Sequence, residues 1–230
     1  MASPTIRLLS SMATREVLAE LAAQYQQVSG CQVILESAGG VDVAKRVLAG
    51  EPVDVVVLAA KAVDELIRAG RLAADSRADI VKSGIAVAVR AGATAPDIAS
   101  PEAVRKAVLE APTLSYSTGP SGVYLEGLFA RWGIFEQIRP RIVQAPPGVP
   151  VGSLVARGDV ALGFQQLSEL LHLPGIVVLG PLPAAIQSIT TFSGAVSTAS
   201  AQAGPARELL AFMTAPASAA AIRRQGMAPA

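Results

Sequence analysis

The chain has 230 residues, of which 51% are hydrophobic and 16% are charged, a composition that excludes a disordered or collagen-like protein. Its single cysteine, Cys31, excludes an internal disulfide. With 19 Lys and Arg against 18 Asp and Glu, the net charge of +1 gives no field that would gather nucleic acid, and no nucleic-acid partner is expected.

The apolar runs are short and the amino-terminal segment is polar. The longest runs, such as residues 53–60, fall far below the roughly 20 residues of a membrane span, so no membrane insertion is expected. The opening MASPTIRLLSS lacks the apolar core, about 7 to 15 residues long, of a signal peptide. We therefore predict a cytoplasmic location for the chain as written, or a periplasmic one if a leader has been removed.

Strand-like runs alternate with segments of helical period in the first part of the chain. TIRLLS, CQVILES and VDVVVL are each followed by a helical segment, at residues 12–28, 41–49 and 62–69. A glycine follows each segment, Gly30, Gly50 and Gly70, as is typical of a left-handed helix C-cap. The alternation predicts an α/β fold built from βαβ units.

Two long strand-like runs interrupt this rhythm and predict two lobes. SGIAVAVRAG leads into a proline-containing segment, and SITTFSGAVST follows a second βα series whose predicted strands include one at residues 141–144. We predict a discontinuous first lobe and a continuous second lobe with crossing segments between them. Their boundaries are 1–84 with 190–230 for the first lobe, 88–184 for the second, and near 84–90 and 185–192 for the crossings.

Small and polar residues follow the predicted strands where ligands bind in open parallel sheets, beyond the carboxyl ends of the strands. They are Ser10, Ser11, Ser37, Gly39, Gly40, Ser117, Thr118, Ser121, Gly122, Val149, Gln165 and Gln166. Hydroxyls and backbone N–H groups at helix starts suit an anion. The same residue types are also ordinary helix caps and turn formers.

Ionisable residues near these loops leave alternatives open. Arg15 and Lys45 could pair with a carboxylate ligand or stay solvated. Asp42 would repel an anion unless it caps its helix or acts as a base. A single histidine, His172, and no G-x-S-x-G motif argue against a serine hydrolase. We expect no cofactor and no metal, since the sequence has neither a phosphate-loop motif nor a Cys/His cluster.

Five segments that span nearly the whole chain carry a family resemblance. They are SSMATREVLAELAAQYQQVSGCQV, SAGGVDVAKRVLAGEPVDVVVLA, STGPSGVYLEGLFARWGI, GVPVGSLVARGDVALGFQQLSEL and RRQGM. In this order they resemble the type II periplasmic-binding-protein family, in particular its molybdate-binding branch. The resemblance implies two lobes with mostly parallel sheets that close on a small anion in the cleft between them. It also implies an ABC permease as a partner if the protein is exported.

The resemblance implies ligand-binding roles for residues that match the family motifs. These are Ser10, Ser11, Ser37, Ser121, Gly122 and Val149. The sequence departs from the family pattern at SAGGVD, which replaces a hydroxyl-richer loop, and at Gln165 and Gln166, where the family usually has a tyrosine. Both departures favour planar carboxylates over tetrahedral oxyanions such as molybdate. The same segments also resemble a branch that includes aconitate isomerase.

Two functional hypotheses follow. In the first, the protein is a binding module for a small anion, a di- or tricarboxylate or an oxyanion. In the second, it is a cofactor-independent isomerase of an unsaturated polycarboxylate such as aconitate. Asp42 is then the predicted base and Lys45 the other ionisable candidate, while Gln165, Gln166 and Arg15 hold the outer carboxylates.

Overall fold

A computed structural model describes residues 3–146 and 148–230. The strands are β1 (Thr5–Ser11), β2 (Gln32–Ala38), β3 (Val55–Ala59), β4 (Ala78–Arg90), β5 (Leu114–Tyr116), β6 (Leu162–Gln166), β7 (Ile176–Pro181), β8 (Ile189–Val196) and β9 (Ala228–Pro229). The α-helices are α1 (Arg15–Ser29), α2 (Gly40–Leu48), α3 (Ala60–Arg68), α4 (Pro101–Glu110), α5 (Pro120–Arg131), α6 (Phe135–Ile138), α7 (Val151–Arg157), α8 (Leu167–Leu170), α9 (Ala203–Thr214) and α10 (Ala219–Arg224). The alternation of strands and helices confirms the predicted α/β class.

Residue contacts divide the chain into two compact units. The first comprises Met1–Ser83 and Thr190–Ala230, of which Met1 and Ala2 lie outside the described residues. The second comprises Gly84–Ile189. The two long strand-like runs of the sequence form β4 and β8, and these strands contain the unit boundaries. Across the described residues, no helix has both the length and the apolar character to cross a membrane.

The sheet of the first unit orders its strands β2-β1-β3-β8. β1 runs parallel to β2 and β3, whereas β8 runs antiparallel to β3. Leu8 packs in a core with residues of α1, α9 and α10, and Leu9 packs in a second core with residues of α2 and α3. Because successive strand residues face opposite sides of a sheet, Ser10 points to the α1 face and Ser11 to the α2 and α3 face.

Helix α1 begins later than its apolar pattern predicts. Residues Met12–Thr14 form a 3-10 turn, and the α-helix starts at Arg15. Its buried face contains Val17, Leu18, Leu21, Ala22 and Tyr25. The helix ends at Gly30, which has a φ of 69°, and this left-handed conformation confirms the predicted glycine C-cap.

The sheet of the second unit orders its strands β7-β4-β6-β5. β5 is parallel to β6, and β4 is antiparallel to both β6 and β7. The core beneath α4 and α5 includes Phe129 and Phe164, whose ring centroids lie 6.2 Å apart. The predicted strand at 141–144 is wrong. A 3-10 turn with proline at its start occupies Arg139–Arg141, and Ile142 forms an isolated bridge with Leu114.

Candidate functional site

Two serines of neighbouring parallel strands meet at the carboxyl edge of the first unit. The register places Ser10 of β1 opposite Ser37 of β2, and their Oγ atoms lie 2.8 Å apart. Ser10 is fully buried, while Ser37 is partly exposed. The structure therefore brings these two predicted residues together as a hydroxyl pair.

A second hydroxyl pair lies on the opposite face of β1. The Oγ of Ser11 is 3.4 Å from Oγ1 of Thr14, and Thr14 donates to the Ser11 carbonyl oxygen at 3.1 Å. Both residues are buried. Sequence reasoning missed Thr14. Its spacing of three residues from Ser11 is the signal that could have found it, because residues i and i+3 eclipse in a 3-10 turn.

Helix α2 begins against Ser11. A Cβ added at Gly40 would lie 3.8 Å from Cβ of Ser11 and 3.8 Å from Cδ2 of Leu58. Oδ2 of Asp42 lies 3.2 Å from the position that a Cβ would take at Gly39, so this carboxylate folds back over the start of the helix. A negative charge is favoured there by the helix dipole. Lys45 lies one turn further along α2 and is exposed.

Two arginines near this edge are already paired with carboxylates. An Arg15 Nη atom lies 2.6 Å from Oε1 of Glu16. The Arg46 guanidinium donates to Glu36 at 2.6 Å and to Glu51 at 2.5 Å. These hydrogen bonds hold the pKa of both carboxyls below its usual range. Arg15 would have to leave Glu16 to hold a carboxylate of the ligand.

The second unit carries a hydroxyl pair in the turn between β5 and α5. The Oγ atoms of Ser117 and Ser121 lie 3.0 Å apart, and Ser117 Oγ accepts from the Gly119 N–H at 3.3 Å. Ser121 is buried, whereas Thr118 is exposed. A Cβ added at Gly122 would lie only 1.6 Å from the Ser117 carbonyl oxygen, so only glycine fits this turn.

The first turn of α5 also packs on Tyr116. The Tyr116 hydroxyl donates to Glu126 at 3.3 Å, and its ring lies 3.2 Å from the position of a Cβ at Gly122. Burial, reinforced by the negative charge of Glu126, raises the pKa of Tyr116. Tyr116 therefore stays a neutral donor beneath the serine pair.

The two predicted glutamines are buried at the end of β6. Oε1 of Gln165 accepts from the Gly152 N–H of α7 at 3.4 Å, and its Nε2 donates to Glu169 at 2.8 Å. This amide is thus hydrogen-bonded within the second unit. Gln166 is 3% exposed. That the two glutamines hold outer carboxylates of a ligand stays a prediction.

Val149 lies in the segment before α7. Its N–H donates to the Pro146 carbonyl at 3.0 Å, and the residue is partly exposed. Pro147, in the same predicted loop, lies outside the described residues. The structure thus describes Val149 as part of a turn, and its contact with a ligand stays a prediction.

The helix starts beside the hydroxyl pairs lack side-chain caps. The N-cap residues of α2 and α5 are Gly39 and Gly119, which have no side chain that could cap the helix. By contrast, Ser100 caps α4, with its Oγ accepting from the Ala103 N–H at 3.1 Å. The first N–H groups of α2 and α5 are therefore left for another acceptor, which suits an anion. No three His, Cys, Asp or Glu side chains among the described residues are placed to hold a metal ion.

Comparisons with known proteins show which family the chain resembles. Residues 6–228 match the family described as Bacterial extracellular solute-binding protein. The chain is 36% identical over 231 residues to an aconitate isomerase from a Pseudomonas species, covering 98% of this chain and 88% of that protein.

Solved structures share the fold. A periplasmic molybdate-binding protein from Azotobacter vinelandii has a TM-score of 0.81 at 20% identity, over 96% of this chain and 98% of that one. A tungstate-binding protein from Desulfovibrio alaskensis has a TM-score of 0.69 at 16% identity, over 99% of both chains. These likenesses confirm the predicted periplasmic-binding-protein fold, and the match over residues 6–228 shows that the chain belongs to the bacterial extracellular solute-binding protein family.

Proposed function

We propose that the protein binds a small anion, a di- or tricarboxylate or an oxyanion, through serine hydroxyls and backbone N–H groups. The observation that carries this proposal is the pairing of hydroxyls with uncapped helix starts, Ser11 with Gly40 in the first unit and Ser121 with Gly122 in the second. Neutral donors at the positive end of a helix stabilise negative charge. The family match supports a solute-binding role.

Among anions, we propose a di- or tricarboxylate. One support is the relative named aconitate isomerase. The other is that α2 carries charged side chains, whereas a site made only of neutral donors would have none. The structural neighbours named for molybdate and tungstate keep oxyanions as the competing ligand class.

Isothermal titration calorimetry with four anions tests the ligand class. Propane-1,2,3-tricarboxylate, succinate, sulfate and molybdate are titrated into the wild-type protein. We expect the tricarboxylate to bind at least tenfold more tightly than molybdate. Tighter binding of molybdate would overturn the carboxylate proposal, and the absence of binding by all four would overturn anion binding.

A second candidate function is isomerisation of aconitate, which is favoured by the 36% identity to a protein of that name. In this proposal a base removes a proton from the carbon next to a carboxylate. The electron pair of the broken C–H bond moves into the allylic system, where hydroxyls and N–H groups stabilise the enolate-like charge. The proton then returns at the other end, and the double bond shifts.

Asp42 is the proposed base. Its carboxylate lies over the first turn of α2, beside Gly39 and on the helix that starts against Ser11. Lys45, one turn further along, is the other ionisable candidate on the same helix. Support for Asp42 is therefore its position among the proposed anion donors.

Proton NMR of cis- or trans-aconitate in heavy water tests the isomerase proposal. We expect interconversion and deuterium incorporation with wild type, and a loss of at least about a hundredfold in rate with Asp42→Asn at retained binding. Glu102→Gln is the matched control, because Glu102 is also an acid in the first turn of a helix, α4. Binding without isomerisation or exchange in wild type would overturn the isomerase proposal and leave the binding protein.

We also propose that the protein meets its ligand in the periplasm and delivers it to an ABC permease. The family description, which names extracellular solute-binding proteins, supports this location. Fractionation of cells that express the natural gene tests it. Recovery with periplasmic markers is expected, and recovery with cytoplasmic enzymes would contradict it.

A further inference from the structure

A cation, Lys61, follows the third parallel strand of the first unit and is not among the site residues that the sequence predicts. β3 ends at Ala59, α3 begins at Ala60, and Lys61 is the second residue of that helix. β1 pairs in parallel with both β2 and β3, so all three strands end at the same edge of the sheet. Lys61 therefore follows a strand end at the edge that holds Ser11 and Ser37.

Lys61 also lies on the Ser11 side of this sheet. Helices α2 and α3 pack on one face, where Val43 and Val63 share a core with Leu58. Cδ2 of Leu58 is 3.8 Å from the position of a Cβ at Gly40, which itself lies against Ser11. Lys61 is three residues beyond Leu58, a span of at most about 10 Å between Cα atoms. Its Cα is therefore within about 10 Å of that of Leu58, a residue whose side chain reaches the uncapped start of α2.

The position of Lys61 is unfavourable for the helix alone. The positive end of the helix dipole disfavours a cation in the first turn, and α3 has no acidic residue there to offset it. Its N-cap residue, Ala59, supplies no side-chain acceptor for the first N–H groups. A bound anion would relieve both defects, because it accepts from the N–H groups and neutralises the ammonium.

The two arginines near this edge are less available than Lys61, and the exposed Lys45 lies in the last turn of α2, not at the helix start. Arg15 is paired with Glu16, and Arg46 with Glu36 and Glu51. Lys61 is exposed and forms no ion pair with any residue that the structure describes. Among the first turns of α1, α2 and α3, Lys61 is thus the cation left for a ligand.

We infer that Lys61 binds a carboxylate of the ligand and sets the preference for polyanionic carboxylates. This inference rests on the proposed anion-binding function and deepens it. The hydroxyls and N–H groups bind one carboxylate, while the ammonium of Lys61 binds another by a charge-assisted hydrogen bond. Lys61 is then a specificity-determining residue.

Calorimetry with propane-1,2,3-tricarboxylate and succinate tests the inference on three variants of the full chain. Lys61→Gln should weaken tricarboxylate binding about tenfold, and Lys61→Arg should retain it within about threefold. Lys61→Gln should weaken succinate binding less than tricarboxylate binding. The ratio of the two affinities should therefore be smaller in this variant than in wild type. Lys106→Gln, at an exposed lysine of α4, is the control and should match wild type.

Lys61→Glu separates a binding role from a structural one. An acid in the first turn complements the helix dipole, so this variant should unfold at the same or a higher urea concentration than wild type. The same variant should weaken tricarboxylate binding more than Lys61→Gln does. If Lys61 had only a structural role, Lys61→Glu would not lower the affinity for the tricarboxylate while keeping or raising the stability.

The outcomes distinguish this inference from the function on which it rests. If wild type binds the tricarboxylate and both Lys61→Gln and Lys61→Glu bind it equally well, the role of Lys61 is overturned and anion binding stands. If wild type binds none of the anions, the proposed function itself fails. Weakened binding in Lys61→Gln together with equal weakening in Lys106→Gln would also overturn a specific role.

Discussion

The polar edge of the first unit contains charges, whereas the polar turn of the second unit contains none in its first helical turn. Asp42 and Lys61 lie in the first turns of α2 and α3. The first turn of α5 consists of proline, serine, glycine and valine, with Ser121 and Gly122 at its centre. The first unit thus presents charged side chains at its helix starts, whereas the first turn of α5 presents neutral hydrogen-bond donors.

The serine pairs Ser10–Ser37 and Ser117–Ser121 also differ in how they are held. Ser10 and Ser37 are fixed by strand register, since their partners are set by the pairing of β1 with β2. Ser117 and Ser121 are fixed by a turn in which helix and preceding strand are in van der Waals contact at Gly122. The pair Ser117–Ser121 therefore depends on one glycine, whereas the pair Ser10–Ser37 depends on the whole ladder between β1 and β2.

The largest effect is expected from Gly122→Ala. The added Cβ would lie 1.6 Å from the Ser117 carbonyl oxygen, so the turn must shift, at a cost of about 3 kcal/mol in the free energy of unfolding. Urea unfolding measures this cost. Gly127→Ala, later in α5, is the control and should stabilise by about 0.5 to 1 kcal/mol, because its Cβ meets nothing closer than 3.5 Å. Equal stability of the two variants would contradict the account of the turn.

A smaller effect is expected from uncoupling the hydroxyl pair of the first unit. A double-mutant cycle of Ser10→Ala and Ser37→Ala should give a coupling of about 1 kcal/mol in the free energy of unfolding, since Ser10 is fully buried. The corresponding cycle of Ser117→Ala and Ser121→Ala should give less, because their Oγ atoms lie 3.0 Å apart instead of 2.8 Å. Stronger coupling in the second unit would reverse the comparison.

The smallest effect concerns acid stability of the first unit. Arg46 lowers the pKa of Glu36 and Glu51 below the ordinary 4.5, so their contribution to stability is present above that pH and is lost as the pH falls through the lowered values. We therefore expect the free energy of unfolding, measured with urea, to fall less between pH 7 and the acid range below 4.5 for Arg46→Gln than for wild type. Arg139→Gln, which removes an exposed pair with Glu136 in the second unit, is the control. An unchanged loss in Arg46→Gln would contradict the assignment.

Much of the fold follows from local sequence patterns. The βα alternation and the glycine at position 30 predict the α/β class and the end of α1, because apolar period and a left-handed C-cap are local properties. The start of α1 is less predictable, since the 3-10 turn at Met12–Thr14 is too short for its period to be told from that of an α-helix. The strand predicted at 141–144 is not formed beyond the bridge between Ile142 and Leu114, and the local pattern does not show where this pairing stops.

The site was only partly predictable. Ser10 and Ser37 could be paired from the expected parallel register, whereas the bond from Gly152 to Gln165 depends on how α7 packs on β6. The sequence pattern does not single out Lys61, because the two residues before it, Ala59 and Ala60, carry no hydroxyl and neither of them is glycine. Loop composition predicts where hydrogen-bond donors lie, but tertiary packing determines which of these donors already bind another group of the protein.

The central claim is that serine hydroxyls beside uncapped helix starts bind the anion, and calorimetry on Ser11→Ala, Ser121→Ala and the double variant tests it most directly. With propane-1,2,3-tricarboxylate as the probe, we predict that each single change weakens binding about tenfold and that the double change weakens it about a hundredfold or more, with unfolding midpoints near that of wild type. Unchanged affinity in both single variants would contradict the claim.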